Sequence, residues 1–526
     1  MVIVSRLTSN PNIQNYCLIS IRRGFLQMLL MGLVLASTNA PALEPSAPSV
    51  YQLSEQDSAL EQILGQTLLL SLANVSPIFS ANYHQLVEWR HKTLNSEERD
   101  KLSQMQQQLD HYWLYLDTQA ECNTPCVSAA SIPKDQYYLA VIVKLKQLMQ
   151  QAESTSWDTL ILEDKLSPGQ ESPLIESIKW RLFDLGFLPD KLKTSSELTT
   201  ESETISPQAT THAESIARPE LAESDNNLKR YDDELVSAIK AFQRQHGLLD
   251  DGVIGKQTLY WLNQSPFVRA QLLAKNTLRQ QIFTRTLPSN YLLINIPAFE
   301  LQLVEEGKVT LDSRVIVGKA SRPTPLLNSQ IASVVLNPQW RVPRSIINRD
   351  ILPHIRHDGH YLQDRGFDVY DYDGTRVEHS PQEWQALAAA NFPYRLVQRP
   401  GEKNALGRYK FHFDNSFSVY LHGTSEPSLF KKTNRALSSG CIRVEKVEEL
   451  ARWFQTHLVK DTRLWDKLMS NTTQSQWFAL SETLPVYTVY WTSWLDEHGK
   501  VQYRNDIYQL EADFNLAVTA SIFHIL

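Results

Sequence analysis

The period of the apolar residues changes at Tyr291, and that switch constrains the fold more than any other feature of the chain. Upstream, apolar residues recur at helical spacing: Leu60, Ile63, Leu64 and Leu68, then Leu174, Ile178, Leu182 and Leu185 before Gly186. The same period runs through Leu235, Ile239 and Phe242 before Gly247, then Thr258, Leu259 and Leu262 after an Asp251-Gly252 turn. Glycine after the last periodic residue is a helix stop, because it enters the left-handed region without steric cost. Downstream the pattern alternates. Residues 292–296, 300–304 and 314–318 read as strands, with Glu306-Gly307 as a hairpin turn. A second hairpin is expected from 409–413 and 417–421 around Asp414-Asn415-Ser416, with Phe417, Val419 and Leu421 on one face and His422 at its end. A helical part followed by a β-rich part predicts a multidomain α+β chain.

At 526 residues the chain has room for three or four domains of roughly 150 residues each. Lys plus Arg number 51 against 58 Asp plus Glu, a net charge of -7, so the basic excess of a nucleic-acid binder is missing. The apolar run at 24–36 follows Arg22-Arg23 and precedes Ala40-Pro41-Ala42. It falls short of the about 20 residues that span a bilayer, and a basic flank with a small-residue end reads as a secretion signal. Export with a mature start near Leu43 is expected, and an uncleaved leader would be the only membrane contact. Between the helices ending at Gly186 and starting near Leu235 lie residues 194–227, with seven acids, one Arg and no aromatic. Such a composition cannot offset its ordering entropy, so it reads as a disordered insertion.

The four cysteines fit an oxidising compartment. Cys17 lies in the leader. Cys122 and Cys126 are a disulfide candidate whose short loop would contribute only about 2 kcal/mol, and they lack the second Cys/His pair of a zinc site. Cys441 is left over. It follows His422-Gly423-Thr424 after a spacer of fifteen residues, 423–437, and stands in Ser438-Ser439-Gly440-Cys441-Ile442-Arg443-Val444. A thiol becomes a useful nucleophile when an imidazole accepts its proton, since its pKa starts near about 8.5. Gly440 permits a tight turn, so the N–H groups of Ser439, Gly440 and Cys441 could converge on a developing oxyanion. Val447, Leu450, Ala451 and Phe454 then mark an amphipathic helix. His354, His357 and His360 recur every third residue, but no H-E-x-x-H pattern accompanies them, so surface histidines are expected rather than a metal site.

The His422-to-Cys441 pattern resembles the L,D-transpeptidase family of the YkuD type, whose signature has a His, a spacer of similar length, Ser or Thr, His, Gly and Cys. Ser439 stands where that signature commonly has a second His. Ser-Ser-Gly-Cys is similar to the variant in large periplasmic, YcbB-like members. Further similarity lies in Pro323-Thr324-Pro325, Asn337-Pro338-Gln339-Trp340 with Val342-Pro343, Arg399-Pro400-Gly401 with Asn404-Ala405-Leu406-Gly407, Leu429-Phe430 and Arg435. The stretch from Phe242 to Leu262 resembles the second half of the three-helix peptidoglycan-binding module of cell-wall enzymes.

The resemblance implies a leader or anchor at 1–42, a mainly helical scaffold at 50–167, and a peptidoglycan-binding module at 171–265. A catalytic domain at 288–468 with a lid near 350–404 follows, and a C-terminal extension at 469–526 would pack on the scaffold or the catalytic domain. It implies a periplasmic enzyme of a Gram-negative envelope, free or inner-membrane anchored. Cys441 would be acylated by a tetrapeptide stem, His422 would be its base, and the Gly423 carbonyl would orient the His422 ring. Ser438, Arg443, Arg435 and Trp340 would contact substrate, though bracing of the loop by the arginines and burial of Trp340 stay open. The product would be a 3-3 cross-link with release of D-alanine, without metal or other cofactor. Partners would be stem peptides, glycan strands and cell-wall synthases. Competing readings are an L,D-carboxypeptidase or hydrolase, a wall-protein attachment enzyme, and a non-catalytic peptidoglycan binder. A cysteine peptidase in which Cys precedes His is disfavoured, because His422 comes first.

Overall fold

The computed structural model describes residues 55–120, 136–189, 229–285 and 287–512. The leader at 1–42, the insertion at 194–227 and the Cys122/Cys126 pair lie outside the described residues. Among the described residues no helix is long and apolar enough to cross a membrane.

The N-terminal part contains the helices Glu55–Leu72, Pro77–Trp89, Ser96–Ala120 and Gln136–Ser154. Pro77 starts its helix because its missing N–H costs nothing there, and Ser76 caps the end by accepting the Ile78 amide. The module that follows has helices Leu174–Asp184, Asp233–Gln245 and Lys256–Leu262. Asp232 caps the second, and Gly186 and Gly247 take φ of 79° and 62° just past the first two. A longer helix, Pro266–Thr284, packs against Gln136–Ser154 and leads into the β-domain.

Four strands open that domain: β1 (Tyr291–Asn295), β2 (Glu300–Glu305), β3 (Lys308–Gly318) and β4 (Leu327–Leu336). An interruption contains β5 (Trp340–Arg341), β6 (Phe367–Tyr370) and β7 (Arg395–Gln398). The main sheet resumes with β8 (Tyr409–Phe413), β9 (Leu421–His422), β10 (Ala436–Ser438), β11 (Ile442–Val444) and β12 (Gln476–Val489); β13 (Ser493–Leu495) and β14 (Val501–Tyr503) form a separate hairpin. The sheet order is β10-β3-β11-β9-β8-β4-β12-β1-β2, and β2 also pairs with β3. Those pairings close eight strands into a ring, which removes most of the exposed edge that an open sheet would carry. Leu292, Ile294, Leu301, Val315, Val334, Phe411 and Ile442 fill its core together with the helix Val447–His457.

Two sequence expectations change here. The return strand expected at 417–421 shortens to β9, and Phe417 is exposed. Asn415 is the reason: its side chain accepts the Phe417 and Val419 amides and donates to the Phe413 and Val419 carbonyls, replacing ladder bonds with a local turn. The segment after 468 does more than pack onto the body. Its strand β12 lies inside the sheet, antiparallel to β4 and parallel to β1, while β13 and β14 contact the helical part.

The segment expected as a lid has a small sheet and core of its own and starts earlier than residue 350. β5 pairs with β7 and β7 with β6, and Ile347, Ile355, Leu362, Trp384 and Leu396 form its own core. Its helix Pro381–Ala389 begins with a complete capping box between Ser380 and Glu383.

Candidate active site

Cys441 sits where the chain crosses β3. β10 runs along one edge of β3 and β11 along the other, so residues 439–441 must pass over the end of that strand at Gly318. The crossing is tight. Gly440 takes a φ of 117°, a region costly for other residues. A Cβ on Gly318 would lie 2.1 Å from the Arg322 carbonyl oxygen. Hydroxyls hold the turn. Ser438 Oγ donates to the Cys441 carbonyl at 2.6 Å and accepts the Gly440 N–H at 3.1 Å. Thr324 Oγ1 donates to the Gly440 carbonyl at 2.8 Å and accepts the Gly318 N–H at 2.9 Å. Tyr508, from the C-terminal segment, braces this layer by donating to the Gly318 carbonyl at 2.7 Å and accepting the Thr324 N–H at 3.1 Å.

His422 reaches the same place from the next strand. β9 and β11 are parallel with Arg443 opposite His422, and His422 and Cys441 line the same groove. The imidazole is 5% exposed, and burial, followed by the Arg443 charge, pushes its pKa down to about 3. The Gly423 and Leu406 carbonyls pull the other way, yet neither closes to hydrogen-bond geometry with the buried Nδ1, which has no partner. Orientation of the ring by Gly423 is therefore incomplete here. Gly407 makes the close approach possible: a Cβ there would meet the Thr424 nitrogen at 2.6 Å.

Burial also raises the Cys441 thiol above its usual range, opposed by Tyr420, Lys410 and Arg443. The resting pair is therefore a neutral thiol and a neutral imidazole, with no stored thiolate–imidazolium pair. The sulfur lies 3.9 Å from the Ser418 carbonyl oxygen.

Cys441 and His422 open onto a groove of about 1430 Å³ between the ring of strands and the lid. Trp340 and Arg443 line it, as the sequence suggested for substrate contacts. Arg443 pairs with Glu426 at 3.3 Å, and its buried Nε is without a partner. Arg435 is elsewhere: it donates to the carbonyls of Val315, Lys432 and Phe299 and lies over the Phe299 ring, so it braces the fold instead of facing the groove. Ser438 borders the groove, but its hydroxyl is engaged within the turn. The same bond corrects the expected set of oxyanion donors, because the Gly440 N–H already points to Ser438. His354 stacks on Tyr361, and no group of three His, Cys, Asp or Glu side chains suited to a metal occurs among the described residues.

Three groove residues escaped the sequence reading: Lys410, Tyr420 and Arg322. Lys410 Nζ sits 4.0 Å from the centre of the Tyr420 ring, a cation–π contact, and Tyr420 lies beside Cys441. Lys410 lies opposite His422 across the β8–β9 hairpin, a register that the hairpin expected at 409–413 and 417–421 does not produce.

Residues 289–465 match the family model of the YkuD L,D-transpeptidase catalytic domain, and 221–262 match that of a "putative peptidoglycan binding domain". The chain carries an L,D-transpeptidase catalytic domain joined to a peptidoglycan-binding domain. A curated relative, "Putative L,D-transpeptidase" of Haemophilus influenzae, is 38% identical over 253 residues, covering 47% of this chain. The match spans about half, 49%, of that relative's length. A solved L,D-transpeptidase from Xylanimonas cellulosilytica aligns over 63% of this chain and 100% of its own at 13% identity, with a TM-score of 0.17, too low to indicate shared geometry.

Proposed function

We propose that this protein is an exported peptidoglycan L,D-transpeptidase that forms 3-3 cross-links through a Cys441 thioester. The observation that carries the reading is a free cysteine that shares a large groove with a buried imidazole, in a domain that matches L,D-transpeptidase catalytic domains. His422 takes the thiol proton as Sγ bonds the carbonyl carbon of the third stem residue. The C–N bond to D-alanine then breaks, and the proton on His422 leaves with the amine. An amine of a second stem, entering under the lid, attacks the thioester, and the proton it sheds returns to sulfur through His422. A neutral base suits this sequence, since a histidine already protonated could not accept the thiol proton. The peptidoglycan-binding module would keep the domain on its polymeric substrate, and glycan strands and cell-wall synthases are the partners of this reading.

Incubation of the mature protein and its Cys441→Ala variant with disaccharide tetrapeptide, read by product mass, tests it. A dimer lighter than two substrates by one D-alanine, made by the wild type alone, is expected. Monomeric tripeptide alone would make the protein an L,D-carboxypeptidase, and equal product from Cys441→Ala would overturn the mechanism.

A further inference from the structure

Ser439 departs from the residue commonly found in the resembled signature, and the structure gives its hydroxyl a specific partner. Arg322 Nη1 lies 2.7 Å from Ser439 Oγ. The same guanidinium forks onto the lid, with Nη1 at 2.6 Å from Asp350 Oδ2 and Nη2 at 3.2 Å from Oδ1. Asp350 belongs to the helical turn Ile347–Ile351, whose two isoleucines are buried in the lid core. Arg322 rises from the turn at 318–324, which is closed by its own amide on the Lys319 carbonyl at 2.8 Å and is packed on Gly318. One side chain with a firm base thus touches both the crossing turn that carries Cys441 and a helical turn of the lid.

We propose that Arg322 is a positioning residue that couples seating of the lid to the shape of the nucleophile turn. This rests on the reading of Cys441 as the nucleophile. With the lid seated, Asp350 holds the guanidinium in plane and the guanidinium holds Ser439, while Thr324 and Ser438 hold the Gly440 and Cys441 carbonyls. With the lid displaced, the fork loses its carboxylate, and Ser439 loses a donor fixed in position. A bidentate guanidinium–carboxylate contact has the directionality that such coupling needs, which a lysine would lack.

Two reactions of Cys441 separate the possibilities. Alkylation by iodoacetamide needs access to the sulfur but no oxyanion donors. Acylation by a carbapenem needs both: Sγ bonds the lactam carbonyl carbon, the lactam C–N bond breaks, and the nitrogen takes the proton. Arg322→Met and Asp350→Ala should each speed alkylation and slow acylation, by about fivefold or more, the low end of typical coupling between sites. The double variant should match the single variants, and Arg322→Lys should not restore acylation. Intact mass follows both reactions, and unchanged thermal midpoints confirm that the variants fold. Unchanged alkylation in both single variants, or effects that multiply in the double variant, would overturn the coupling. Wild-type protein that alkylates but never takes up carbapenem would overturn the enzyme reading, and the alkylation results would still decide the coupling.

Discussion

Two buried histidines occupy the two halves of this molecule, and they differ in how their nitrogens are used. His246, at the end of the helix Asp233–Gln245, is 1% exposed. Its Nδ1 lies 2.6 Å from the Phe242 carbonyl and its Nε2 2.7 Å from Arg269 Nη1, which assigns the proton to Nδ1 and leaves Nε2 as acceptor. Arg269 lies over the rings of Phe242, Trp261 and Tyr503, and Tyr503 comes from the C-terminal hairpin. Both ring nitrogens of His246 are therefore satisfied, and the residue ties the peptidoglycan-binding module to β14. His422 is equally neutral and nearly as buried, yet its Nδ1 has no partner. Burial alone does not separate the two histidines; the unfilled hydrogen-bonding position of His422, on the groove that Cys441 also lines, does.

The sharpest test of that contrast is the nucleophile. Cys441→Ala should abolish cross-linking and thioester formation with the fold intact, as read by product mass and circular dichroism, whereas no change at His246 should remove thioester formation from folded protein. His422→Asn should come next, with kcat lowered by about 10² to 10⁴, the usual contribution of a positioned base, and with the unfolding midpoint little changed. Arg269→Met should reverse the pattern. It orphans His246 Nε2 and the Trp261 carbonyl and should cost about 3 kcal/mol of stability, measured by urea unfolding, with activity retained at low temperature.

Acid sets the next contrast. Both histidines have native pKa values depressed below the ordinary 6.5, so the unfolded chain binds protons that the native chain does not. Stability should be complete above about pH 6.5 and fall below it, by about 2 kcal/mol at pH 5 from His422, with His246 acting in the same direction. His422→Asn should remove one of these contributions, and an unaltered pH slope in that variant would contradict the depressed value. The smallest effect is expected from Arg435→Met: a loss of about 1 kcal/mol from its carbonyl contacts, with KM unchanged because the side chain does not face the groove.

Much of this architecture was legible in the residues. The helices of the module and their stops at Gly186 and Gly247 follow from contacts within a few positions, as does the Glu306-Gly307 turn, where both residues take positive φ. His422 and Cys441 were legible as candidates for a chemical reason, a lone thiol downstream of an imidazole, and the fold places both on one groove. The roles of Ser438 and Arg435 were not. Residue type gives what a side chain can donate or accept, but partners such as the Cys441 carbonyl for Ser438, or the Val315 and Phe299 carbonyls for Arg435, depend on how the turn and the strands meet.

Sequence by itself determined the division at Tyr291, the helix stops and the β2–β3 hairpin, because each depends on local periodicity or on short-range turn chemistry. Tertiary structure alone decided that the strands close into a ring, that β12 enters it from beyond residue 468, and that Lys410, Tyr420 and Arg322 gather around Cys441. Those outcomes rest on register between strands far apart in the chain, such as β12 against β1 and β4. A register shift of one residue reverses which face each side chain occupies. That register is selected by burial of the whole core at once, which no short window of sequence contains.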